Sequence, residues 1–275
     1  MSNNKIKHIL VALDASEANK SILQAANALA DKLNAEVQAL FVEDINLLHL
    51  AELPFAREMT YGSPTARQLT LADIEKQLNA QVERMRHYVE SYSQQGNVKV
   101  SFSVTRGRIE SEVCTAAELT DLLIVGKNTQ LIRHSEKLGK VTQGIITGAK
   151  CDVLLLQYGS EISLPVAVLY DGTEASQRAL QMAIQIAKGD DDKLVIFYPA
   201  NLQEQLQPEV SKITSQVGIE PSHLQLKTDT PEGILDALAK CNGRMLLLEA
   251  NMKTLTQEQI QLLLRQSNIP VVLIR

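Results

Sequence analysis

The chain states one structural plan twice. "HILVALD", His8 to Asp14, is an apolar run ending in a carboxylate, and "ASEANKSILQAANALADKLN" follows it with helical spacing. From Leu164 the text is "LPVAVLYDGTEASQRALQMAIQIAKGDDDKLVIFYP". A shift of 157 (171 − 14) sets Asp14 on Asp171, Ser16 on Thr173, Glu17 on Glu174 and Gln24 on Gln181. Apolar strands resemble one another by chance; polar residues at matched positions after the first strand do not. The copies also close alike. "DLLIVG", Asp121 to Gly126, corresponds to "MLLLEA", Met245 to Ala250, and "DVLLLQ", Asp152 to Gln157, corresponds to "PVVLIR", Pro270 to Arg275.

Each copy reads as five strands alternating with helices, which implies parallel sheets with right-handed crossovers. In the first copy Ser16 is placed to cap a helix whose face is Ile22, Ala26, Leu29 and Leu33, and "AEVQALFVED" supplies the second strand. Ala72–Ser93 carries the stripe Ile74, Leu78, Val82, Met85 and Val89; "KVSFSVT" reads as a strand and "RIESEVCTAAEL" as a helix. In the second copy "EVSKITSQVG" and "PEGILDALAKC" read as helices around a short strand, "LQLK". The polar stretch "GSEISL" separates the copies, giving domains at 1–159 and 164–275. At 275 residues, 45% of them hydrophobic, the chain can bury a core in each.

Composition narrows the function. The net charge of −5 argues against a general nucleic-acid binder. The N-terminus has only a short apolar run interrupted by His8, and no run reaches the length of a membrane span, so a cytoplasmic protein without a membrane role is expected. Cys114, Cys151 and Cys241 lack CxxC spacing and read as buried thiols in a reducing compartment. The five histidines, His8, His49, His87, His134 and His223, show no metal spacing. Glu43 and Asp44 are adjacent in a strand and so face opposite ways, which does not indicate an acid–base pair. No catalytic residue and no metal ligand is assigned.

The segment with chemistry in it is "LLIVGKNTQLIRHSEKLGKVTQGI", Leu122 to Ile145. A strand, a glycine, a basic loop, a second glycine and a helix start have the shape of a phosphate cradle. Lys127, Arg133, Lys137 and Lys140 stand there against Glu136 alone. The equivalent in the second copy, "LLEANMKTLTQEQIQLLLRQSNIP", has no glycine. Glu249 lies beside its expected phosphate position, and Thr256 with Gln259 forms a capping box that satisfies the helix end internally. Asp171 persists there, in a position that a turn or cap residue also occupies.

With "ILVALDASEAN", "LLIVG" and "GKVTQGIITGAKCDVLLLQ" in view, the chain resembles the universal stress protein family, as a tandem of two such domains over nearly its whole length. The resemblance implies two flavodoxin-like α/β domains, each a five-stranded parallel sheet with helices on both faces. It implies dimerisation through the final strand, here "VLLLQ" against "VVLIR" within one chain. It also implies, for one subgroup, ATP or another adenine nucleotide on a loop of Gly, two residues, Gly, nine residues, Gly, then Ser or Thr. Gly126 and Gly139 match this spacing; Thr129 stands for the second glycine and Lys140 for the hydroxyl residue. Threonine resists the positive φ that glycine allows, and a lysine opposes the helix dipole unless a phosphate faces it. The residues expected around the nucleotide are Asp14, Val42, Gly126, Thr129, Gly139, Lys140, Val141 and Thr142. Two alternatives stay open: a protein-binding module with no nucleotide site, and a weak ATPase. The longest irregular stretch, Glu43 to Thr70, reads either as an insertion on its own small core or as a lid or partner surface. Homo-oligomers and an unnamed protein partner are open as well.

Overall fold

The computed structural model describes residues 5–14, 16, 19–53, 55, 57–59, 66–93, 98–127, 138–157, 159–188 and 193–275. Thr129, Arg133, His134 and Lys137 lie outside the described residues. The chain opens with β1 (His8–Leu13), α1 (Asn19–Leu33), β2 (Glu36–Asp44), α2 (Ile45–Ala51) and the short β3 (Arg57–Met59) and β4 (Ala66–Gln68). It continues with α3 (Leu71–Ser93), β5 (Val100–Gly107), α4 (Ile109–Ala117), β6 (Leu122–Gly126), α5 (Lys140–Gly148) and β7 (Asp152–Leu156). Next come β8 (Val166–Leu169), α6 (Glu174–Ala187), β9 (Leu194–Tyr198), α7 (Gln203–Ser215) and β10 (Ser222–Gln225). The chain finishes with α8 (Pro231–Lys240), β11 (Met245–Glu249), α9 (Gln257–Gln266) and β12 (Val271–Ile274).

Ten strands form one sheet in the order β10-β9-β8-β11-β12-β7-β6-β1-β2-β5. Numbered within each copy, both halves run 3-2-1-4-5. All pairings in this sheet are parallel except the central one, where β7 and β12 run antiparallel. There Leu154 faces Val272, Leu155 faces Val271 and Val153 faces Leu273. Under the match of Asp152 to Pro270 (a shift of 118), Leu154 and Val272 are equivalent residues. The other two pairs exchange partners across them, which is the contact pattern of a two-fold interface. Both strands are buried on both faces, and each fully buried Val or Leu is worth about 1.5–3 kcal/mol.

Alternation along the strands feeds two cores. Ile9 and Val11 point to the face covered by α1, α3, α6 and α7, with Ile124, Leu154, Val168 and Val272. Leu10 points to the opposite face, under α4, α5, α8 and α9, with Leu123, Val153, Ala167 and Leu273. Each core runs through both halves without a break at the seam. Among the described residues no helix is long and apolar enough to cross a membrane.

Polar links stitch the seam. Lys127, 5% exposed, follows β6 and sends its ammonium to the carbonyls of Arg265 and Ser267, each at 2.7 Å, at the C-terminal end of α9. Gln157 donates to the same Ser267 carbonyl, Gln143 on α5 donates to Gln261 on α9 at 2.8 Å, and the Arg275 amide donates to Asp152 at 2.9 Å. Lys127 is therefore not a phosphate ligand of the basic loop; it caps a helix of the other half. Burial pulls its pKa from 10.5 down to about 8, against the two carbonyls that favour the ammonium. Below about pH 8 the lysine is protonated whether the chain is folded or not, and the desolvation penalty is fully present. Between about 8 and 10.5 the unfolded chain holds the extra proton, so this group's contribution to stability rises with pH. In urea titrations, wild type should gain stability relative to Lys127→Met across that window; a flat difference contradicts the burial of the charge.

Several boundaries differ from the sequence expectation. α1 is described from Asn19 on, and the Asn19 amide donates to the Ser16 carbonyl at 3.5 Å; Glu17 and Ala18, next to the expected cap Ser16, lie outside the described residues. α7 begins at Gln203 and passes through Pro208, and β10 occupies Ser222–Gln225 instead of Leu224–Lys227. α3 begins at Leu71, where Thr70 and Asp73 bond each other's backbone amides reciprocally. Within Glu43–Thr70 the described residues form the end of β2, α2 and a hairpin, with Leu48 and Ala51 packed on a small separate core of Leu69, Ile74 and Leu78. Glu43 is buried and ion-paired with Arg106 at 2.9 Å, its cross-strand partner. The three cysteines are half-buried, and desolvation raises each thiol.

Candidate functional site

In the first half the strand order reverses between β1 and β6, and such switch points open a crevice beyond the carboxyl ends of the strands. A cavity of about 240 Å³ lies there. Asp14, Val42 and Gly126 reach it from the ends of β1, β2 and β6, and Val141 and Thr142 from the first turn of α5. Five of the expected residues thus share one cavity. Gly139 stands outside the lining as the N-cap of α5, and Lys140 is exposed at the first position of that helix. Thr129 lies outside the described residues.

Local bonds fix the geometry. The Asp14 carboxylate accepts the Ser16 amide at 2.9 Å, and the Asp14 amide donates to the side chain of the buried Asn19 at 3.2 Å. The turn after β1 is therefore closed by its own side chains. Gly126 sits against α1: a Cβ built there lies 3.2 Å from Ile22 Cδ1, a contact that asks this side-chain end to give by only a few tenths of an ångström. Its carbonyl accepts the Thr142 hydroxyl at 3.2 Å, which ties the end of β6 to the start of α5. The N-cap of α5, a glycine, offers no side-chain hydrogen bond. Helix starts leave amide N–H groups pointing outward, and those groups attract anions.

Other elements finish the enclosure, one of them from the Glu43–Thr70 stretch that reads as an insertion or a lid. Leu47 on α2 and Leu78 and Gln81 on α3 line the cavity. Leu78 was signalled as part of the α3 stripe, and Leu47 lies in the stretch that reads as an insertion or a lid; Gln81 had no local signal. Asp44, also in the lining, caps α2 by accepting the Asn46 amide at 2.9 Å.

The second half is built differently at the same place. Val11 pairs with Ile124 as Val168 pairs with Leu247. With the first strands matched at 157, the shift between β6 and β11 is 123 (247 − 124), so Gly126 corresponds to Glu249. This corrects the sequence match of Gly126 to Ala250 by one residue. The Thr173 hydroxyl lies 2.7 Å from both Glu249 and Asp171, so two carboxylates meet at the carboxyl ends of β8 and β11. Tyr170 and Tyr198 replace Leu13 and Phe41; both are fully buried and meet edge to face at 6.5 Å. Thr256 and Gln259 form the capping box on α9, so the amides of these two residues already have partners. Among the described residues no group of three or more His, Cys, Asp or Glu could hold a metal ion.

The family model described as the universal stress protein family matches residues 5–157, more than half of the chain. A universal stress protein from Archaeoglobus fulgidus DSM 4304 superposes with a TM-score of 0.74 at 19% identity, covering 99% of this chain and 98% of that one. A functionally unknown protein from Pseudomonas aeruginosa PAO1 gives 0.61 at 12% identity over 98% and 93% of the two chains. A putative universal stress protein from Pseudomonas aeruginosa UCBPP-PA14 gives 0.57 at 13% identity over 98% and 94%. These likenesses concern the fold. No curated protein matches the chain in sequence.

Proposed function

Because the chain belongs to the universal stress protein family, we propose that it is a stress-linked regulatory binding protein that holds one adenine nucleotide, in the first-half cavity. The observation that carries this reading is the meeting of Asp14, Val42, Gly126, Val141 and Thr142 around one cavity beside the start of α5, whose N-cap is Gly139. The apolar walls from Val42, Val125 and Leu47 suit a base. The Asp14 carboxylate suits ribose hydroxyls as an acceptor, and the first amides of α5 suit a phosphate. In the second half Glu249, the paired tyrosines and the capping box stand against a nucleotide.

The same reading makes the chain a tandem of two units, 1–159 and 164–275, cytoplasmic, paired through β7 and β12 as its own two-fold dimer. The role is binding and signalling through a protein partner, not catalysis. A surface for such a partner, or for a further copy of the chain, is offered by Leu47, Leu50, Leu53 and Phe55, all exposed on or after α2.

Purified protein, denatured and chromatographed, should release an adenine nucleotide, or the apo chain should melt higher with ATP. At a hundredfold excess over the dissociation constant the stabilisation is about 2.7 kcal/mol, a rise of roughly 5 °C or more. Neither release nor a shift at millimolar ATP sinks the reading.

A further inference from the structure

We propose that Lys127 is a positioning residue for the first-half cavity, through which the second half holds that site in its binding-competent shape. The inference rests on the cavity being the ligand site. Lys127 directly follows Gly126, and adjacent Cα atoms are about 3.8 Å apart, so one cannot shift without the other. Gly126 lines the cavity. The Lys127 amide donates to Leu156 on β7 at 2.7 Å, and its ammonium bridges the Arg265 and Ser267 carbonyls at 2.7 Å each. The backbone on the exit side of β6 is thus bolted to the C-terminal end of α9.

The entry side of α5 is bolted to the same helix. Thr142 lines the cavity and donates to Gly126, and its neighbour Gln143 donates to Gln261 near the middle of α9 at 2.8 Å. Both ends of the segment that spans β6 to α5 are therefore referenced to one helix of the other half. That helix is the counterpart of α5, and its own N-terminus is closed by the capping box. The half whose helix start is capped by its own side chains serves here as a frame for its sister. Ligand that tightens Gly126 and α5 tightens the grip on α9, and coupling between two sites is reciprocal.

The test compares full-length wild type, Lys127→Met, Lys127→Arg and Gln143→Ala, with ATP and AMP as probes in calorimetric titrations. Lys127→Met should weaken binding roughly 5- to 150-fold, the usual range of coupling between linked sites. Lys127→Arg should recover part of it, because a guanidinium also offers several donors to the two carbonyls. Gln143→Ala should weaken binding in the same direction by less, and it decides the matter if Lys127→Met does not fold. Hydrogen exchange supplies the reciprocal readout. ATP should slow exchange at Gln266 and Ser267 in wild type and leave it unchanged in Lys127→Met. Equal affinities in all four chains, or no ligand effect at α9 in wild type, overturn the coupling and leave the nucleotide reading standing. Absence of binding to wild type by either probe overturns both.

Discussion

A Gly126→Glu chain is expected to lose adenine-nucleotide binding by more than about a hundredfold while keeping its fold. The substitution writes into the first half what the second half already carries at the matching position, Glu249. The nearest atom to a new Cβ is Ile22 Cδ1 at 3.2 Å, the far end of a flexible side chain, so α1 can yield slightly. The carboxylate would enter a cavity whose lining already includes Asp14 and Asp44. Facing a phosphate at about 4 Å in a partly shielded site, it is repelled by about 4 kcal/mol, and each 1.4 kcal/mol is about tenfold in affinity. Calorimetric titration with ATP checks the binding and thermal melting checks the fold. A chain that binds like wild type removes Gly126 from the site.

Leu154→Asp is expected to prevent cooperative folding of the whole chain, not of one half alone. Leu154 and its partner Val272 are fully buried at the middle of the ten-stranded sheet, within a core that includes residues of both halves. Truncation to alanine there costs about 2–5 kcal/mol. A carboxylate adds the desolvation of a charge with no partner, which takes the change beyond about 4–5 kcal/mol. Total stabilities of domains are about 5–15 kcal/mol. Leu119→Asp, at an 86% exposed position, is the control and should stay within about 0.5 kcal/mol of wild type. Urea unfolding followed by circular dichroism measures both. If Leu154→Asp unfolds in two separate steps, with one half intact, the halves are independent and the continuous core is refuted.

The sequence made the repeat legible because polar residues marked it. Asp14 and Asp171, Ser16 and Thr173 stand just after apolar strands, where a turn needs side chains that bond to backbone. The capping box at Thr256 and Gln259 was legible for the same reason. The seam strands were legible as runs apolar on both faces, which a parallel sheet interior requires. The match of β6 to β11 slipped by one residue because "LLIVG" and "MLLLEA" offer leucine after leucine and no polar marker inside the strand. Only the ladder settles it, and the slip matters because it moves the comparison for Gly126 from alanine to glutamate. The helix expected at "EVSKITSQVG" starts earlier, at Gln203, and α7 runs through Pro208 although proline removes an amide from a helix interior. Gln81 closes the cavity from α3, well along the chain from β1 and β2, and no local period predicts where a helix flank will point. Lys127 misled most: it sits among basic residues in a loop, but its partners lie 138 and 140 residues away, and local charge counting cannot see them.

The central claim is one nucleotide site per chain, in the half that keeps Gly126. Calorimetric titration of the nucleotide-free chain with ATP tests it most directly. The account predicts a stoichiometry of one, falling to none in Gly126→Glu; two equivalents per chain, or one that survives Gly126→Glu, would contradict it.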